Sequence, residues 1–83
     1  MSHTPHQLAD EFPHDHWLLH ELKLRNPHFV TLADRYQAVN GEIHRIEAGV
    51  ETRSDSYVED LKKQRLALID EISQIIAKAR APA

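Results

Sequence analysis

The chain has 83 residues, no cysteine and a formal net charge of −3 with its histidines neutral. This length allows one small domain, and the absence of cysteine excludes a disulfide framework and a thiolate site. The acidic balance argues against a general nucleic-acid binder, because such proteins carry a basic patch. Charging all seven histidines would change the net charge to +4, so its sign can reverse near the ordinary histidine pKa of about 6.5.

The N-terminal segment lacks the pattern of a signal peptide, since no basic stretch precedes an apolar run. No apolar run in the sequence approaches the roughly 20 residues that a membrane span requires. We therefore predict a cytoplasmic protein that does not enter a membrane. Residues 1–11 show no hydrophobic period, and we predict that they form a disordered tail.

The first predicted helix covers residues 13–25 and begins with a proline, which suits the first turn of a helix. Three leucines share one stripe of this helix: Leu18, Leu19 and Leu22. The helix is predicted to end at the dipeptide Asn26-Pro27, where Asn26 caps the next helix and Pro27 begins it. Two helices should therefore meet at a corner with almost no loop.

The second and third predicted helices cover residues 27–48 and 55–79, and residues 80–83 are predicted to fray. Each helix carries a stripe spaced 3, 4, 3, 4, 3, which is typical of coiled coils. The turn-forming dipeptide Asn40-Gly41 interrupts the second helix, but the stripe crosses it in phase. The two stripes consist of Phe29, Leu32, Tyr36, Val39, Ile43 and Ile46, and of Val58, Leu61, Arg65, Leu68, Ile72 and Ile75.

Gly49 is expected to end the second helix as a left-handed cap, so that the chain folds back near Thr52. The stripe residues then face one another in pairs whose numbers sum to 104. The sequence therefore predicts an all-α fold, an antiparallel, coiled-coil-like helical hairpin with a short additional N-terminal helix. The hairpin and this helix form a single predicted domain over residues 12–79.

Arg65 is the one charged residue in the predicted seam of the hairpin. Its aliphatic stem can cover Val39 while the guanidinium reaches solvent. The guanidinium can instead lie on the ring of Tyr36, or form a polar layer with Asn40 that fixes the register of the two helices.

The third helix has more apolar surface than one neighbouring helix needs. Either the first helix packs across the hairpin or the surplus meets a second copy or another protein, and we expect both in part. The predicted interaction surface comprises Leu18, Leu22, Leu66, Ile69 and Ile76.

Three histidines occur within seven residues, at His14, His16 and His20. His16 and His20 lie four residues apart on one helical face and are the candidate metal ligands. A regular helix would direct His14 about 160° away from His16, so the three do not converge. The alternative is that His16 and His20 belong to the solvated face opposite the leucines, and we predict no resident metal.

No catalytic set is evident in the sequence. We find no nucleophile with a nearby base and carboxylate, no glycine-rich phosphate loop and no HExxH motif. We therefore predict that the protein is not an enzyme and binds no cofactor. The basic cluster at residues 62–65 is flanked by acidic residues, which indicates surface salt bridges, and no nucleic-acid partner is expected.

The chain resembles the YdcH-like family of short bacterial proteins of unknown function, over residues 12–79. The similarity rests on Phe12-Pro13, His28-Phe29 with Leu32, EIHRIE at 42–47, Gly49, Ser54-Asp55, Tyr57, and LKKQRLALIDEI at 61–72. This resemblance implies a helical hairpin in the bacterial cytoplasm and supplies no catalytic residues. We therefore interpret the chain as a non-enzymatic helical interaction module that self-associates through surplus apolar surface. The alternative function is a histidine-based metal-binding or pH-responsive protein.

Overall fold

The structure is a computed structural model that describes residues 7–80. Within this range the chain forms four helices and no strand, which confirms the predicted all-α class. Residues 1–6 of the predicted tail and residues 81–83 of the predicted frayed end lie outside the described residues. The helices are α1 (Leu8–Glu11), α2 (His16–Arg25), α3 (Pro27–Glu47) and α4 (Asp55–Arg80).

The end of the predicted N-terminal tail differs from the structure. Leu8–Glu11 forms the single turn α1, and the Leu8 side chain packs against the core of the protein. A single turn is too short to show a hydrophobic period, so the sequence pattern gave no signal for it. Arg80, which was predicted to fray, belongs to the last turn of α4.

The helix α2 begins at His16, three residues later than the predicted start at Pro13. Pro13 lies in a turn in which the Asp15 N–H donates to the Phe12 carbonyl at 3.1 Å. The Asp15 carboxylate makes no capping hydrogen bond and instead forms an ion pair with Arg80 at 3.2 Å. This ion pair joins the start of α2 to the end of α4.

Side-chain caps begin both long helices. The Asn26 Oδ1 accepts a hydrogen bond from the Phe29 N–H at 3.0 Å, and Pro27 occupies the first turn of α3. Asn26 also ends α2, so a single residue separates the two helices. At the start of α4 the Ser54 hydroxyl accepts from the Tyr57 N–H at 3.1 Å. Each cap satisfies a backbone donor that the first turn leaves without a partner.

The bend between α3 and α4 depends on Gly49, whose φ of 80° lies in the left-handed region. The Gly49 N–H donates to the Ile46 carbonyl at 3.1 Å, and the Val50 N–H donates to the Arg45 carbonyl at 2.9 Å. These two bonds form a Schellman motif, which ends a helix by satisfying its last carbonyls. The glycine therefore has the role that the sequence predicted.

The helices α3 and α4 share the largest interface of the described chain. Arg65 contacts Asn40 and Tyr57 contacts Glu42, so residue numbers rise along α3 as they fall along α4, and the two helices run antiparallel. All twelve predicted seam residues are buried or half-buried. The helix α2 lies across this pair and adds Leu19 to a core that also contains Phe29, Leu32, Ala33, Tyr36, Ile72 and Ile76.

A polar contact interrupts the apolar seam. The Arg65 guanidinium donates to the Asn40 Oδ1 at 3.0 Å, and Asn40 is only 3% exposed. Of the three placements that the sequence left open for Arg65, the structure shows the polar layer with Asn40. A buried amide is costly without a hydrogen-bond partner, so this contact favours one register of α3 against α4.

We predict opposite effects for alanine substitution of the two glycines in the chain. Gly41→Ala should raise the free energy of unfolding by up to about 1 kcal/mol, because glycine disfavours a helix interior. Its new Cβ would meet Arg45 Nη1 at 3.5 Å, an ordinary contact. Gly49→Ala should lower the free energy of unfolding by about 1–2 kcal/mol, because the positive φ of Gly49 is unfavourable for alanine. Urea unfolding, monitored by circular dichroism, measures the free energy of unfolding of each variant. Effects of the same sign would contradict the placement of Gly41 in a helix interior and of Gly49 in a left-handed cap.

We also predict that Asn40 and Arg65 are energetically coupled. Arg65→Ala and Asn40→Ala should each cost about 1–3 kcal/mol, and the double variant should cost about 1–2 kcal/mol less than their sum. A double-mutant cycle of urea unfolding measures the coupling. The exposed Glu21–Arg25 pair on α2, joined at 2.9 Å, is the matched control and should couple by no more than about 0.5 kcal/mol. Strictly additive Asn40 and Arg65 effects would refute the polar layer.

Candidate interaction surface

The structure separates the five residues of the predicted interaction surface. Ile76 is fully buried in the core, so it is not part of a free surface. Leu18, Leu22 and Ile69 are half-buried and pack against the core cluster. Leu66 is 60% exposed, and it is the one member of the set that faces solvent.

The placement of α2 explains this division. Leu19 of α2 is buried in the same core as Ile72 and Ile76 of α4. The stripe on α4 is therefore wide because it packs against two helices. Sequence periodicity shows how wide an apolar stripe is, but it does not show which neighbour covers each side.

Leu66 borders a depression of about 220 Å³ on the surface of the protein. Lys62 lines this depression and forms an ion pair with Glu47 at 3.3 Å. The lysine side chain is 48% exposed. The lining residues are Glu11, Tyr36, Lys62, Arg65, Leu66 and Ile69. The depression thus combines an apolar floor with side chains of both charges.

Tyr36 is buried at this depression, with 2% of its surface exposed. Burial raises the pKa of Tyr36 to about 12, nearby Glu11 and Asp10 act in the same direction, and Arg65 opposes them. Desolvation disfavours the charged phenolate, so the phenol stays protonated near neutral pH. A protonated, buried tyrosine contributes packing at this site and is a poor general base.

A second exposed apolar face lies on the outer side of α2. Trp17 is 73% exposed and Leu24 is 69% exposed, and their spacing of seven residues places them on one face. The Trp17 ring lies 5.7 Å from the His20 ring, measured between centroids, at an angle of 33°. The predicted interaction surface did not include this face, although the seven-residue spacing of Trp17 and Leu24 was its signal.

The bend of the hairpin carries a cluster of charged side chains. Arg45 bonds the Glu51 carboxylate at 2.7 Å, and this hydrogen bond holds the pKa of Glu51 below its ordinary value. The Tyr57 hydroxyl donates to Glu42, which raises the pKa of Tyr57. The Arg53 guanidinium lies 5.3 Å from the centre of the Tyr57 ring. These groups are exposed, so each contact adds little stability and mainly orients the connector.

The structure gives the candidate metal ligands different surroundings. The His16 Nε2 lies 3.3 Å from the Ala9 carbonyl oxygen of α1, and the His20 ring contacts Trp17. Among residues 7–80, no three His, Asp or Glu side chains come together as a metal site. The metal-binding alternative, the absence of a resident metal and the absence of a cofactor stay predictions.

Two of the four residues in the basic cluster at 62–65 have partners within the chain, since Lys62 pairs with Glu47 and Arg65 bonds Asn40. The expected absence of a nucleic-acid partner stays a prediction. Within the described part of the chain, no helix combines the length and hydrophobicity needed to cross a membrane. The cytoplasmic location stays a prediction as well.

The chain is similar to proteins that have no assigned activity. A family described as "Protein of unknown function (DUF465)" matches residues 29–76. The Uncharacterized protein YdcH of Escherichia coli (strain K12) and that of Shigella flexneri are each 35% identical over 65 residues, which cover 78% of this chain and 88% of the relative. No solved structure matches the chain significantly.

The matched segment begins at Phe29 and ends at Ile76, which are two core residues of the α3–α4 pair. The family match therefore spans the hairpin and its polar layer, and the YdcH relatives extend the similarity over most of the chain. The chain belongs to the YdcH-like family of proteins of unknown function, DUF465.

Proposed function

We propose that this protein is a non-enzymatic helical interaction module that self-associates through the outer surface of α4. The exposure of Leu66 carries this proposal, because 60% of a large apolar side chain faces solvent in the middle of the longest helix. The depression beside Leu66 can accommodate an apolar side chain of a partner. An apolar patch beside a depression, with charged residues at its rim, is typical of protein–protein interfaces.

The small size of the concave sites favours an interaction role over a catalytic one. The depression at Leu66 has a volume of about 220 Å³, and an open cleft between α1 and α3 has about 310 Å³. Sites for small molecules are usually about 300–1,000 Å³ and enclose most of the ligand, so the depression is smaller than this range and the open cleft lies at its lower end. The protonated Tyr36 at both sites supplies shape and packing, which supports binding rather than reaction.

The expected association is weak. Full burial of one leucine side chain contributes roughly 1.5–3 kcal/mol, whereas association costs at least about 4 kcal/mol in lost freedom of motion. The two leucines together contribute roughly 3–6 kcal/mol, which about offsets this cost, so the side chains around them must supply the remaining net stabilisation of about 5 kcal/mol. We expect a dissociation constant on the order of 100 μM.

The test is the variant Leu66→Asp, studied by sedimentation equilibrium between about 10 μM and 1 mM. We expect the unchanged chain to self-associate over this range and the variant to remain monomeric, because a charge would be buried in the contact. The variant should keep its helical signal, since Leu66 is exposed.

Leu24→Asp is the matched control, because Leu24 is 69% exposed and lies on α2 rather than on α4. It should self-associate like the unchanged chain. A monomeric unchanged chain at 1 mM, or equal association of the unchanged chain and Leu66→Asp, would refute the proposal. Loss of association in the Leu24 variant alone would show that the contact lies on α2, and the proposed contact on α4 would then be wrong.

A further inference from the structure

We propose that two copies meet about a two-fold axis at Leu66, with their α4 helices antiparallel and Lys62 of each copy facing Asp70 of the partner subunit. This inference rests on the proposed self-association and adds the partner, the orientation and the contacts. We call Lys62, Leu66 and Asp70 the Leu66 flank.

The Leu66 flank is one continuous side of α4. Lys62 precedes Leu66 by four residues and Asp70 follows it by four, so both are its neighbours on the helix surface. Lys62 and Asp70 are exposed, as is Leu66 between them. Positive charge therefore lies on the N-terminal side of the leucine and negative charge on its C-terminal side.

This charge order determines the orientation of the two copies. In an antiparallel pair centred on Leu66, a residue four positions before the centre meets the residue four positions after it on the other copy. Lys62 then meets the partner's Asp70, and the two-fold symmetry forms this pair twice. A parallel pair would place Lys62 against the partner's Lys62 and Asp70 against the partner's Asp70. Repulsion between like charges disfavours that arrangement.

Asp70 is available for such a contact. Its helical neighbours three and four residues away are Leu66, Ala67, Ser73 and Gln74, so none supplies a positive charge. Its carboxylate has no ion-pair partner among residues 7–80. Lys62 bonds Glu47 within its own chain, but an ammonium group carries three donors and retains donors for a second acceptor.

The depression beside Leu66 also fits an α4–α4 contact. Four of its lining residues are Lys62, Arg65, Leu66 and Ile69, which are spaced i, i+3, i+4 and i+7. This spacing forms the four-residue hole that receives one side chain of a facing helix in knobs-into-holes packing. The hole begins at Leu66 and extends about 50° around α4 toward Arg65 and Ile69, so the partner's Leu66 enters it beside the axis that pairs the charges.

The test uses two charge reversals in the full chain, Lys62→Glu and Asp70→Lys. Alone, each variant places like charges together twice, and we expect its apparent dissociation constant to rise about tenfold. Mixed in equal amounts, the two variants regain opposite charges at both pairs, and association should return to the level of the unchanged chain. Sedimentation velocity at about 50 mM salt measures all three samples, since higher salt screens exposed charges.

Restoration by mixing separates the interface from damage to folding. Lys62→Glu also removes the ion pair with Glu47, but a partner chain cannot repair that loss. Lys78→Glu is the control for charge reversal on α4, because Lys78 is exposed and lies about 120° around the helix from Leu66. It should associate like the unchanged chain.

The outcomes distinguish this inference from the proposed function. If Leu66→Asp prevents association but the mixed variants associate no better than each alone, the two-fold arrangement is wrong and self-association through Leu66 stands. If Leu66→Asp leaves association unchanged, both proposals fail. Stronger association of either single reversal would also overturn the pairing of Lys62 with Asp70.

Discussion

Burial of one broad apolar stripe on α4 is the constraint on which the rest of the structure depends. Leu61, Ile72 and Ile76 of this stripe are at most 6% exposed, and a single facing helix cannot cover a stripe of that width. The helix α3 covers one side and α2 covers another. The corner at Asn26, which ends α2 and caps α3, brings the second helix back over the first without a loop. The bend at Gly49 likewise brings α4 back against α3.

The polar layer within the seam connects this packing to the outer surface. The Arg65 guanidinium is directed to the buried Asn40, which fixes the rotation of α4 about its own axis. Because successive residues of a helix are about 100° apart, the neighbouring Leu66 is then turned away from α3. A polar contact within an apolar seam thus determines which apolar side chain of α4 faces solvent. The proposed function follows from this rotation as much as from the leucine itself.

Local signals made much of the fold predictable. The heptad stripes, the Asn26 cap and the left-handed Gly49 depend on residues that are close in sequence, and the structure contains all three features. The burial of Ile76 was not predictable, because it depends on where α2 packs. The partner of Arg65 was not predictable either, since a long side chain can direct its charged end to solvent or to any of several neighbours. The turn Leu8–Glu11 was missed because one turn carries no period.

The helix α4 has three sides, and each has different surroundings. One side packs on α3, a second on α2, and the third carries Leu66 between charges of opposite sign. The family match over residues 29–76 includes α3 and the Leu66 flank but excludes α2, whose outer face carries Trp17 and Leu24. Removing α2 would expose Ile76 and create a large apolar surface without specific charge order. Covering the stripe with α2 therefore leaves the Leu66 flank, with its ordered charges, as the exposed surface of α4 that we propose a second copy contacts.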